Sequence, residues 1–296
     1  MSETTSKPKT YLNILVATFQ EVGAKWGEKN TGLMAAAIAF YSMMSLAPLL
    51  AFIIGMVGLF FSESLVEEQL LTGIAEALGA ETAEFVAGVI QGAFEIDRSG
   101  PILAIIGLVI IIFFASTVFN SVKLALNHIW DVTPDVAPRS GIVAFLWDRL
   151  LASAMVLLTG GALFVVMISS VLSAIVSGWL ADQHWQQAGK IATLSGQWVG
   201  VFVLLGLITI AYKLLPDTAV LWRYALSGGA LATVLFIVGN KVMGIYFSLS
   251  SLPTVYGAAG SLVVLLLWVY YSSYILLFGA LFTRALTRQM VGEADS

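Results

Sequence analysis

Residues 242–283 read VMGIYFSLSSLPTVYGAAGSLVVLLLWVYYSSYILLFGALFT, a run of 42 without one Asp, Glu, Lys or Arg. A helix rises about 1.5 Å per residue, so about 20 apolar residues cross a hydrocarbon core about 30 Å thick. The run is continuously apolar rather than alternating, which selects a helix over a barrel strand. Five further stretches lack charge: 30–62, 99–122, 150–181, 191–212 and 224–240. Four of these are long enough outright, whereas 224–240 has to continue past Lys241 to about Phe247. The pattern predicts an all-α polytopic membrane protein with six transmembrane helices near 33–61, 101–122, 150–177, 197–215, 225–247 and 258–283. Small residues at four-residue spacing (Ser169, Ser173 and Ser177; Ala225, Gly229 and Thr233) favour close helix contact and a compact bundle.

Composition agrees. Of 296 residues, 59% are hydrophobic and 11% charged, against roughly 25% charged in a soluble domain. Fourteen basic and 18 acidic side chains cannot cover the surface of a soluble protein of this size, which excludes a cytosolic globular enzyme. The absence of cysteine removes disulfides, thiolate zinc sites and cysteine nucleophiles. Two histidines, His128 and His184, are too few for a histidine-built metal cluster, and a net charge of -4 argues against a phosphate-binding surface for nucleic acid. Phosphate-loop, Rossmann and HExxH patterns do not occur. No cofactor and no metal are expected.

The chain divides into an N-terminal tail with an amphipathic helix (1–31), a membrane domain (32–286) with an external segment at 62–98, and a C-terminal tail (287–296). No cleavable leader precedes the first span, which is expected to act as its own anchor. Tyr11, Ile14, Leu15, Phe19, Val22 and Trp26 form one apolar stripe, predicting a helix lying flat at the membrane surface. Eleven basic residues fall on the side of the N-terminal tail, the 123–149 and 213–223 loops and the C-terminus; only Arg98, Lys190 and Lys241 fall on the other. That asymmetry predicts that both termini lie in the cytoplasm. Segment 62–98 is acidic and its apolar spacing suggests two amphipathic helices over the external face. Trp130, Trp147, Trp179, Trp185, Trp198 and Trp222 lie near span ends, where indoles prefer to sit.

Polar groups inside a bilayer are costly, so the few present are the candidates for a substrate path. In the first span Tyr41, Ser42 and Ser45 share a helical edge, and Pro48 frees the Met44 carbonyl. A kink beside hydroxyls can line a path, or the serines can satisfy the kinked backbone and aid packing. Asn120, Lys123 and Asn127 fall on one face at the end of the second span. They offer a cationic stripe to an anionic head group, or a snorkelling lysine with amides bonding a neighbouring helix. Asn240 and Lys241 are the polar pair of the fifth span; Lys241 either snorkels or faces a cavity. Tyr270 and Tyr274, one turn apart in the last span, form an aromatic-hydroxyl edge that serves binding or packing.

Four blocks carry a resemblance: AAAIAFYSMMSLAPLL, LNHIWDV followed by Arg139 and Arg149, YKLLPDTAVLWRYALSGGAL, and VYGAAGSLVVLLLWVYYSSYILLFGA. Together, in order from about Gly32 to Leu286, they resemble the YihY/BrkB family of bacterial inner-membrane proteins. The resemblance implies a six-span protein with a transport or envelope-related role. Similar proteins continue the last motif as GAE-x-N; here Leu281 and Thr283 stand at those places, so no role of that glutamate carries over. Members have also been labelled ribonuclease BN, but Asp131, Asp135, Asp148 and Asp217 are scattered, whereas metal-dependent RNA cleavage needs clustered ligands. The expected function is movement of an amphipathic or small solute across the membrane by a non-enzymatic protein. The alternative is a scaffold that binds an envelope partner through 62–98. The lipid bilayer is the expected partner, with a homo-oligomer as a further possibility and nucleic acid excluded.

Overall fold

In the computed structural model, residues 11–58, 63–97, 117–132, much of 150–177, 186–249 and 260–292 are described. Among them there is no strand. The helices are α1 (Tyr11–Glu28), α2 (Thr31–Gly58), α3 (Glu63–Leu78), α4 (Ala80–Asp97), α5 (117–129), α6 (the described residues between 150 and 177), α7 (Gln186–Leu214), α8 (Trp222–Leu249) and α9 (Gly260–Gly292). Most of the expected second span, 101–116, and the 133–149 loop lie outside the described residues. Trp222–Tyr246 and Gly260–Met290 are long and apolar enough to cross a membrane, while Thr31–Leu46 and Trp198–Leu214 are shorter apolar stretches.

The centre of the bundle is α9, which packs against α8, α2, α1 and α4, while α7 packs on the other side of α8. Small residues allow this. A Cβ on Gly228 would run into the Thr283 hydroxyl and the Gly279 carbonyl, and one on Gly279 would lie 2.9 Å from the Ala232 Cβ. The α8–α9 backbones therefore approach to a distance only glycine permits at this crossing. On the opposite flank of α8, a Cβ on Gly229 would stand 2.5 Å from the Thr209 hydroxyl of α7. Ala225, Gly229 and Thr233 are all buried, so the small-residue spacing marks a real helix contact. The Tyr212 hydroxyl donates to the Leu276 carbonyl at 2.5 Å, tying α7 to α9.

At the end of α3, Gly79 adopts φ 94° and its N–H bonds the Ala75 carbonyl, the left-handed cap that glycine adopts without a Cβ penalty. The cap folds α4 back on α3. Thr82, Ala83, Val86 and Ile90 turn inward, and the pair packs on α2, with α4 also reaching α9 and α3 reaching α8.

The stripe of α1 meets protein along one edge rather than lying wholly on a surface. Ile14, Thr18 and Val22 are buried. Trp26 stacks on Tyr274 and Phe278 at 5.1 and 5.7 Å, Phe19 lies 5.3 Å from Phe282, and Glu21 accepts from Arg288 and Gln289. The order of these pairs makes α1 antiparallel to the last turns of α9. Leu15, Val16 and Phe19 remain on the outer edge. On α8, Val234, Val238, Val242 and Ile245 are each more than half exposed and share one face, an apolar ridge that suits hydrocarbon.

Candidate functional site

The described polar side chains concentrate at one end of the bundle, around the C-terminus of α5. That helix ends in a Schellman motif: the Val132 N–H reaches the Asn127 carbonyl at 3.0 Å and the Asp131 N–H the His128 carbonyl at 3.3 Å. Asp131 holds the left-handed position, φ 53°, that glycine normally fills. The motif satisfies some terminal carbonyls, and two cations from distant helices add donors to this end. Lys29, in the α1–α2 break, donates to the His128 carbonyl at 3.0 Å and to the Asp131 carboxylate. Arg284 of α9 donates to the Ile129 carbonyl and to the other oxygen of Asp131. Cations belong at a helix C-terminus, where the macrodipole leaves about half a negative charge.

A second pair sits on the same helix. Lys123 Nζ lies 2.9 Å from Asp217 Oδ1, Asn127 Nδ2 donates to Oδ2 at 2.8 Å, and the Asp217 N–H donates back to Asn127 Oδ1 at 2.8 Å. Asp217 lies in the turn between α7 and α8, whose start is held by Lys213 Nζ on the Val220 carbonyl at 2.5 Å. The cations are the buried members: Lys29, Lys123 and Arg284 side chains are 8, 10 and 12% exposed, against 54% for Asp131 and 29% for Asp217. Partial burial works against the Asp131 carboxylate, but the Lys29 hydrogen bond and the Arg284 and Lys29 charges outweigh it and hold its pKa below the ordinary aspartate value. The α1–α2 break, α5, the α7–α8 turn and α9 are thus fastened at a single junction.

Of the residues anticipated as a substrate path, Lys123 enters this junction. Asn120 stays exposed on α5. Ser45 is buried and donates to the Ser42 carbonyl at 3.0 Å; Tyr41 is exposed and packs edge-on to Phe40. Pro48 lies within α2, which continues to Gly58, and its side chain lies outside the described residues. Asn240 accepts from the Trp268 indole at 2.9 Å, and Lys241 points outward from α8. Tyr270 and Tyr274 stack T-shaped at 4.8 Å, and a Cβ on Gly32 would stand 2.6 Å from the Tyr274 hydroxyl. These groups meet different neighbours or face outward, and the structure does not join them into one cluster. The residues that sequence reasoning missed are Lys29, Asp131, Asp217 and Arg284. Their signal was present in LNHIWDV and LLPD, where an aspartate closes or follows a helix.

A family model described as "Virulence factor BrkB" matches residues 22–296. The chain belongs to the BrkB family. Among its relatives, a UPF0761 membrane protein of Psychromonas ingrahamii is 26% identical over 97% of this chain and 94% of its own length. One from Idiomarina loihiensis is 24% identical over 97% and 96%. A third, from Tolumonas auensis, is 28% identical over 61% of this chain; the match there spans 57% of the relative, a little over half its length. No solved structure matches. The all-helical fold with its apolar, outward-facing ridges is therefore that of a membrane protein of the BrkB family. Leu281 and Thr283 of the last motif are fully buried, and the Thr283 hydroxyl bonds the Gly279 carbonyl at 2.8 Å. In this BrkB-family chain that position is a helix contact.

Proposed function

We propose that the chain is a six-span inner-membrane protein with both termini in the cytoplasm that moves an amphipathic or small solute across the bilayer without acting as an enzyme. The observation that carries the transport reading is the junction of three buried cations and two aspartates. Buried ion pairs stabilise a bundle no better than apolar packing of the same volume. Their use where four segments meet suits a closure that has to open, and all four segments are ones that charge counting assigns to the cytoplasmic side. The amphipathic character of the solute follows from the lack of any acidic residue within the proposed spans.

Reconstituted protein should move at least one member of a panel of lipids and amphipathic solutes above the rate of empty vesicles, and Asp217→Asn should change that rate several-fold. Rates equal to empty vesicles across the panel would refute the reading. The rival scaffold reading draws on Glu68, Glu76, Glu81 and Glu84, which face outward from α3 and α4. It predicts that changing these four to Gln abolishes recovery of an envelope partner while Asp217→Asn leaves it intact.

A further inference from the structure

Lys25, Lys29, Lys123, Lys213, Arg223, Arg284 and Arg288 each have a carboxylate, carbonyl or hydroxyl partner. Among the described residues Lys241 has none. It stands on α8 in register with Val234, Val238, Val242 and Ile245, on the outward apolar ridge. The exposed ammonium finds no counter-charge among the described residues. Hydrocarbon around the ridge drives it along its own stem to the nearest phosphate plane. Its height on the helix fits. Arg223, at the start of α8, is 18 residues earlier, which is about 27 Å along the axis, close to the thickness of the hydrocarbon core. The two cations therefore bracket the apolar stretch 224–240, one at each face of the bilayer.

We propose that Lys241 is a binding site for the phosphate of an outer-leaflet phospholipid head group, with Val238 and Val234, the exposed ridge residues on its membrane side, seating the acyl chain beneath it. The site rests on the reading of α8 as a membrane span with its start in the cytoplasm. It does not depend on whether the chain transports a solute. The lysine supplies one hydrogen-bonded charge pair to the phosphate, and the valine ridge admits a straight chain alongside the helix.

The test uses the full-length protein, labelled with 15N at the lysine ammonium groups, in phosphatidylglycerol–phosphatidylcholine liposomes in phosphate-free buffer. Dipolar dephasing of the ammonium signal by lipid 31P is then measured. The chain has eight lysines, so Lys241→Gln should remove about one-eighth of the total lysine signal, all of it from the dephased fraction. Lys241→Arg, with its guanidinium labelled, should restore a dephased signal. Dephasing unchanged by Lys241→Gln would overturn the proposal. A nitroxide on Val238→Cys separates the two premises. Collisions with oxygen but not with a nickel chelate keep α8 in lipid, so a negative result then falls on the phosphate site alone. The opposite pattern overturns both.

Discussion

Asp131 is the residue whose replacement separates charge from backbone most cleanly. Removing its carboxylate leaves the Lys29 and Arg284 side chains, 8 and 12% exposed, without a counter-ion, although each keeps a helix-end carbonyl. Breaking a fully buried pair costs about 3–5 kcal/mol, but Asp131 is itself about half exposed and solvent-screened, so about 2 kcal/mol is the appropriate scale here. The backbone contributes in the opposite direction. At φ 53° an alanine is strained by about 1 kcal/mol relative to glycine. Asp131→Ala is therefore expected to lose about 2 kcal/mol, Asp131→Gly about 1 kcal/mol less than that, and Asp131→Asn to fall between them because Asn tolerates the left-handed region. The assay is reversible denaturation of the full-length protein in mixed micelles with increasing SDS. The reasoning fails if Asp131→Gly matches or exceeds the wild type, since the carboxylate would then contribute nothing. It also fails if Ala and Gly are equivalent.

Other consequences are as direct. Gly228→Ala places a Cβ against Thr283 and the Gly279 carbonyl and should cost about 2–3 kcal/mol, whereas Gly206→Ala, with open space around it, should be neutral or stabilising by about 0.5 kcal/mol in the same titration. A double-mutant cycle of Lys123→Met and Asp217→Asn should return a coupling of about 1–2 kcal/mol; additivity would mean the pair is incidental. Because the pKa of Asp131 is lowered in the folded protein, its contribution is complete above the ordinary aspartate value of about 3.9 and disappears as pH falls through the lower folded value. Stability between pH 5 and 8 should be independent of this group. The acid limb below about pH 4 should be shallower in Asp131→Asn.

The apolar helix α9 was legible because its charge-free run is long, and α8 because its shorter run, carried past Lys241, does continue as one helix to Leu249. Their ends were not. α7 begins at Gln186, through Lys190, and α9 continues through Arg284 and Arg288 to Gly292, because a gap in charge reports transfer into hydrocarbon while helix ends are set by backbone hydrogen bonding. The stripe of α1 was visible as apolar, but periodicity cannot say whether lipid or α9 covers it. The junction was the least legible feature. Lys29 and Asp131 are 102 residues apart, Asp131 and Arg284 153, and Asn127 and Asp217 90. Local spacing placed Lys123 and Asn127 on one face, and that is where its information ended. The aspartates looked scattered because only the fold brings their partners to them.

The proposed cytoplasmic placement of the junction is tested most directly by accessibility of single cysteines, for which the absence of native cysteine provides a clean background. Cysteines at exposed Glu28, His128 and Thr218 flank the junction, and those at Glu68 and Glu81 lie on α3 and α4. In intact cells a membrane-impermeant maleimide should label Glu68→Cys and Glu81→Cys and leave Glu28→Cys, His128→Cys and Thr218→Cys unlabelled until the membrane is permeabilised. Labelling of the three junction cysteines from outside, or a division of the three between the two sides, would contradict the account.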